Sequence, residues 1–367
     1  MSLSINKILP FLICPITGKK LRQMTKQDLG WINALMIKKK AGYLSKQKTI
    51  RAIKSGLITF DSKIIYECYN GIALLLPQLA ITKFIHKKII FNKFHFNKIK
   101  VKIFYDQIGW NKTKDNNFVD ADKFEDLRPV SKEYIHRCHL RLARYIKPSG
   151  MFLIDVASGP VQYKEYLFYS RKYQYHVCVD FSISALLQAK NRLGKRGIYI
   201  LGDITSLPFA DSSMDGIISL HTIYHVPAGE QKKAFNELFR VLKVSSTASV
   251  VYSWGNRGLM RYLMLPIEIV SILKYLTKKF LNKNNRRVSQ EPILYFHPHS
   301  YRWFVGQKWN FNYDILPWRS INVAFMNFFI HNWFFGKSIL KFIYFFEEKF
   351  PYFIGKIGQY PIIVIKK

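Results

Sequence analysis

The stretch LIDVASGPVQYKEYL, residues 153–167, holds an apolar run that ends in a carboxylate, Asp155. A small-residue turn follows, Ala157-Ser158-Gly159-Pro160, and then a mixed polar and aromatic segment that can be helical. Working outward, the same unit recurs. MFLIDVA (151–157), YHVCVDF (175–181), IYILGD (198–203), part of MDGIISLHTIYH (214–225) and TASVVYSW (247–254) read as five strands. Residues 161–172, SISALLQAKNRLG (182–194) and EQKKAFNELFRVLK (230–243) read as helices. Ser182 or Ser184 can cap the second and Gly194 can stop it. Strand and helix in alternation predict an open, mostly parallel α/β sheet with covering helices.

Three successive strands close on Asp155, Asp180 and Asp203. Open α/β sheets bind ligands beyond the carboxyl ends of their strands, so the three acids are expected in one crevice. One strand-end Asp is ordinarily a turn former or cap; three in register point to a site. A second-strand acid such as Asp180 can accept from ribose hydroxyls, and Asp203 can meet an adenine amino group. Gly159 lets the backbone approach a ligand without a Cβ. The first turn has one glycine rather than GxGxxG, and no complete Gly-x-x-x-x-Gly-Lys-Ser/Thr phosphate loop is present, since the Gly-Lys-Ser at 336–338 has His331 in place of the first glycine. The expected ligand therefore carries adenosine but no pyrophosphate.

The run IDVASGPVQYKEYL, VCVDFSISALLQAKNRL, YILGDITSLPFADSSMDGIISLHTIYHV and EQKKAFNELFRVLK resembles the class I S-adenosylmethionine-dependent methyltransferases. The nearest group is the one related to quinone-biosynthesis methyltransferases. The resemblance spans roughly 104–256 and implies a Rossmann-like sheet with S-adenosyl-L-methionine as cofactor. It places Asp155, Ala157, Ser158 and Gly159 at the amino-acid end of that cofactor. Asp180 and Phe181 fall beside the ribose, Asp203 and Ile204 beside the adenine, and His221 near the sulfonium. Tyr105, in YDQIGW (105–110), matches a lead-in tyrosine that folds over the cofactor. Two departures stand out: Ala157 and Val161 occupy positions where glycine is common, and LKVSSTA (242–248) replaces a Lys-Pro-Gly-Gly turn.

The flanks differ in charge. Of a net +34, residues 1–105 carry +17 and 256–367 carry +12, against +3 for 150–255. Such flanks suit an anionic surface, membrane lipid or nucleic acid, although AT-rich coding also enriches Lys, Ile, Asn, Phe and Tyr. Residues 8–80 weakly resemble the zinc-ribbon-like tRNA-methyltransferase activator family, which binds zinc through two CxxC pairs. Here only Cys14 and Cys68 remain, too few for a tetrahedral site, so no metal is expected. His297 and His299 form an HxH pair without a nearby third ligand. Four cysteines without CxxC and no visible secretory signal suggest a reducing, cytoplasmic setting. Segments 258–281 and 321–346 are too interrupted by charges to span a membrane but suit its inner face as peripheral elements.

The expected organisation is a small β-rich domain (1–82), a basic linker (83–103), a cofactor-binding domain (104–256) and a C-terminal cap (257–367). The expected function is methyl transfer to a small-molecule or lipid-linked acceptor. His221 or His225 is the candidate general base for an oxygen acceptor. The alternatives are a non-catalytic binding protein of the same fold and an RNA methyltransferase. The fourth strand reads SLHTIYHV rather than a nucleic-acid-methylating Asn-Pro-Pro-Tyr type motif.

Overall fold

The computed structural model describes residues 3–45, 52–83, 93–255, 259–281 and 294–367. The chain opens with helix α1 (Leu3–Ile8), strand β1 (Leu21–Gln23), helix α2 (Lys26–Ile37) and strands β2 (Ala41–Tyr43), β3 (Gly56–Thr59), β4 (Ile64–Tyr69), β5 (Ile72–Leu74) and β6 (Ile81–Lys83). Thr25 and Asp28 form a reciprocal capping box at the start of α2. Asn70 and Gly71, both at positive φ, make the two-residue turn between β4 and β5.

Helix α3 (Lys93–Phe104) runs into a π-helical turn over Tyr105–Gly109, followed by α4 (Val119–Phe124) and α5 (Lys132–Arg141). The alternating core then unfolds in order: β7 (Gly150–Val156), α6 (Lys164–Tyr169), β8 (Tyr173–Asp180), α7 (Ile183–Leu193), β9 (Gly197–Leu201), β10 (Gly216–Leu220), α8 (Gln231–Val241) and β11 (Thr247–Val251). The Ser182 hydroxyl accepts from the Ala185 amide and caps α7, and Gly194 ends it at positive φ. The chain continues through α9 (Leu259–Leu281), α10 (Tyr301–Val305), β12 (Asn312–Arg319), α11 (Val323–Phe329), α12 (Gly336–Lys349), α13 (Pro351–Ile357) and β13 (Tyr360–Lys366).

Among the described residues the strands join one 13-stranded sheet, whose main path is β1-β3-β4-β5-β9-β8-β7-β10-β11-β13-β12. From β5 to β11 the neighbours are parallel, while β13 and β12 close that side antiparallel. The fold is thus an open, mostly parallel Rossmann-like sheet with covering helices. The central strands are buried on both faces, as a parallel sheet between helices requires.

The structure adds to or differs from the sequence reading at four points. Within the expected small β-rich domain (1–82), β5 pairs in parallel with β9, and Ile5, Ile8 and Leu12 share a core with Phe209 and Ile200. The boundary at 256 cuts the sheet, because β12 and β13 lie far downstream and pair onto β11. Helix α6 is shorter than 161–172, since Val161 is left-handed (φ 54°) and no helix can pass through it. The third strand stops at Leu201, leaving Asp203 in the turn beyond. Of the basic segment 83–103, residues 84–92 lie outside the described residues.

Candidate functional site

A cavity of about 500 Å³ opens at the carboxyl ends of β7, β8 and β10, within the range of a small-ligand pocket. Asp155, Ala157, Ser158, Gly159, Asp180, Phe181, Asp203, Ile204, Tyr105, His221 and His225 all line it. The parallel register aligns the strand ends, and the sheet order sets β7 between β8 and β10.

Asp155 is buried. Its Oδ2 lies 3.3 Å from His176 Nε2, and its Oδ1 has no hydrogen-bond partner among the described residues. The turn after it keeps a left-handed residue at every second position: Ala157 (φ 59°), Gly159 (φ 55°) and Val161 (φ 54°). The backbone conformation that favours glycine therefore persists where two of the glycines are gone. A Cβ at Gly159 would stand 2.8 Å from the indole of Trp110. Trp110 in turn stacks on Tyr105, ring centres 4.7 Å apart. This aromatic pair covers the turn.

The Asp180 carboxylate accepts from the Gly159 amide at Oδ2 and the Ser182 amide at Oδ1, both at 2.8 Å. Burial pushes its pKa up to about 6, partly offset by those two amides. Asp203 is more heavily engaged than the sequence suggests. Its Oδ1 accepts from the Thr205 amide and hydroxyl, and its Oδ2 from Lys98 Nζ at 2.7 Å. Lys98 also reaches Glu230 at 2.8 Å. An adenine amino group would share the Asp203 carboxylate with a part-buried ammonium.

His221 sits at φ 57°, a strained conformation for a non-glycine residue and one that gathers at functional sites. Its Nδ1 is 3.1 Å from the Tyr224 hydroxyl. The Nδ1–H of His225 donates to the Tyr295 carbonyl at 2.7 Å, which leaves Nε2 as an acceptor. Burial lowers the pKa of His221 to about 3 and of His225 to about 4, so both are neutral at pH 7.

Several residues of the site were not singled out in the sequence. Arg319, at the end of β12, is buried in the cavity wall and pairs with Glu125, which also contacts His139 Nε2 at 3.3 Å. Arg319 holds the Glu125 pKa down at about 2 despite its burial. Asp120 accepts from Gln162 at 3.1 Å, and burial raises its pKa to about 6. Asp120 lies on α4, Glu125 directly after it, His139 on α5 and Arg319 on β12, with no motif to mark them; only chain folding assembles them. The expected linker also takes part, since Lys98, Val101 and Lys102 of α3 line the cavity.

Cys14 and Cys68 are buried, with Cys14 Sγ 3.3 Å from the Tyr66 hydroxyl. The His299 ring stacks on Trp303 at 3.7 Å. Among the described residues no group of three His, Cys, Asp or Glu is arranged to hold a metal ion.

Residues 154–249 match the family model described as a methyltransferase domain. That segment runs from β7, just before the first acid, into β11 and covers about a quarter of the chain. Among solved structures, the chain is similar to geranyl diphosphate methyltransferase in complex with S-adenosylmethionine at 13% identity, covering 63% of this chain and 84% of that one, TM-score 0.39. It is also similar to phosphoethanolamine N-methyltransferase 1 of Haemonchus contortus at 9% identity, covering 77% and 51%, TM-score 0.43. The [4+2]-cyclase SpnF is a third, at 15% identity, covering 63% and 81%, TM-score 0.39. No curated protein matches the chain.

Proposed function

We propose that the protein transfers a methyl group from S-adenosyl-L-methionine to a small-molecule or lipid-linked acceptor. The observation that carries this reading is the convergence of Asp155, Asp180 and the left-handed turn in one cavity, with a buried carboxylate oxygen left free. Asp155 Oδ1 suits the amino group of the methionine moiety, since a buried unpaired acceptor is costly until a donor reaches it. A carboxylate offers about four lone-pair sites, and Asp180 uses two on backbone amides, leaving two for ribose hydroxyls. When bound, the cofactor supplies an electrophilic methyl group on its sulfonium.

The chain's own residues do the rest. Tyr105 and Trp110 shield the turn from water, and the strand ends fix the cofactor side of the cavity. His221 and His225 line the same cavity with Tyr224 and Phe296. With Nδ1 donating to the Tyr295 carbonyl, His225 Nε2 is the ring nitrogen left to receive a proton from an acceptor hydroxyl. With its pKa near 4, it is a weak base that suits an acceptor already acidic or one that loses its proton after transfer. Proximity and alignment are then the main catalytic contribution. The resemblance to the quinone-biosynthesis group favours an acceptor that pairs a ring with a lipid tail.

Isothermal calorimetry with S-adenosylmethionine tests the reading. Saturable binding that Asp180→Ala removes is expected; no heat at millimolar cofactor would overturn it. The engagement of Asp203 by Lys98 favours the second reading, a binding protein that kept the fold and lost the chemistry.

A further inference from the structure

We infer that the outward faces of α9, α12 and α13, together with Trp333–Phe335, form a docking surface for an anionic lipid bilayer. An ordinary surface helix is apolar toward the core and polar outward. Helix α12 is apolar on both sides. Gly336, Leu340 and Tyr344 face inward, while Phe335, Phe342 and Phe346 face solvent on the opposite side. Phe342 and Phe346 touch one another at 4.6 Å, and Phe350 continues the row at 5.8 Å from Phe346. Trp333 is 80% exposed just before the helix, and Tyr352 and Phe353 are exposed just after it. Helix α9 adds Leu265, Ile269 and Ile272 at helical spacing, all exposed. The exposed aromatic row from Trp333 to Phe353 is the kind of apolar surface that marks an interaction site.

Charge selects the occupant. Lys337, Lys341, Lys349 and Lys356 are exposed on the same helices as the aromatics, and residues 256–367 carry a net +12. A second copy of the chain would set these lysines against their own kind. An anionic bilayer instead takes phenyl and indole rings at its acyl boundary and ammonium groups at its headgroups. The position relative to the site agrees: α9 packs on α11, whose Val323 and Ala324 line the cavity. A bilayer on this face would present a lipid-linked acceptor next to the cavity. No helix among the described residues is long and apolar enough to cross a membrane, so the contact would be peripheral. The surface itself stands independently of the methyl-transfer reading; only the delivery of an acceptor rests on it.

Flotation of the full chain with phosphatidylcholine vesicles, with and without phosphatidylglycerol, tests the inference. The protein is expected to float with the anionic vesicles at low salt and to release at high salt. Lys337→Gln with Lys341→Gln should weaken binding about fivefold per lysine on anionic vesicles alone. Trp333→Ser, Phe342→Ser and Phe346→Ser together should weaken it at least about tenfold on any vesicle. These side chains are exposed, so the melting curve and cofactor calorimetry should stay as in the parent protein. A parent protein that remains soluble with anionic vesicles at low salt overturns the inference, as do variants that float unchanged. Light scattering that finds a dimer, made monomeric by the aromatic variant with no flotation, assigns the face to self-association instead. Flotation without cofactor binding would retain the surface and sink the methyltransferase reading.

Discussion

The indole of Trp110 lies so close over Gly159 that a Cβ on the glycine would meet it at 2.8 Å. The contact joins the turn after the first central strand to the residue that closes the π-helical turn after α3, and it covers the cavity at the point where the cofactor's amino-acid end is proposed to sit.

Gly159→Ala should therefore fail on two counts. The left-handed backbone costs a non-glycine residue about 1–2 kcal/mol, and the methyl displaces Trp110. Chemical denaturation should show at least that loss, and calorimetry a weaker cofactor affinity. Adding Trp110→Ala should restore part of the stability by removing the clash. If Gly159→Ala matches the parent in both assays, the described turn is wrong.

Ala157 offers the opposite experiment. It holds φ 59° without being glycine, so Ala157→Gly should relieve strain and stabilise by about 0.5–1 kcal/mol after the added freedom of the unfolded chain is counted. A shift of the urea midpoint to higher concentration is the expected result; destabilisation would mean that the methyl group packs usefully.

Asp180 sets a pH dependence for cofactor binding. Its pKa near 6 means that the free protein carries a protonated Asp180 below that pH, and a carboxyl group accepts ribose hydroxyls less well than a carboxylate. Linkage predicts affinity about tenfold lower at pH 5 than at pH 7. Asp180→Asn should bind weakly at both values and lose the slope. Calorimetry across that range checks it, and a flat parent profile would remove Asp180 from the ribose role.

The Arg319–Glu125 pair sits in the cavity wall with both side chains almost fully buried. Glu125→Gln leaves a buried guanidinium without its anion and should cost about 3–5 kcal/mol. The double change Glu125→Leu with Arg319→Met should cost far less, because neither charge is then stranded. The Glu125 pKa is lowered from 4.5 to about 2 on folding, so its contribution is complete above 4.5 and is lost as pH falls toward 2. Denaturation of the parent and both variants at pH 7 and pH 3 should show the difference between them shrink in acid.

Much of the centre was legible from residues alone. Period and punctuation marked β7 to β11 to within a few residues, because parallel strands buried on both faces read as unbroken apolar runs such as FLIDV and VCVD. Strand-end acids marked the cavity for the same local reason: Asp155 and Asp180 end apolar runs. Pairing across distance was not legible. Strand β12 carries Pro317, Trp318 and Arg319, and nothing in NYDILPWR says that it closes the sheet by pairing with β13. Hydrogen bonds between strands are indifferent to sequence separation, so the joining of β5 to β9 and of β13 to β11 was decided only by tertiary structure. The same holds for charge. The sequence by itself determined how many lysines and acids the chain carries and which strands end in carboxylates. Tertiary structure decided that Lys98 occupies Asp203, that Arg319 meets Glu125, and that α12 turns one apolar face inward and another outward, because burial and Coulomb attraction act through space rather than along the chain.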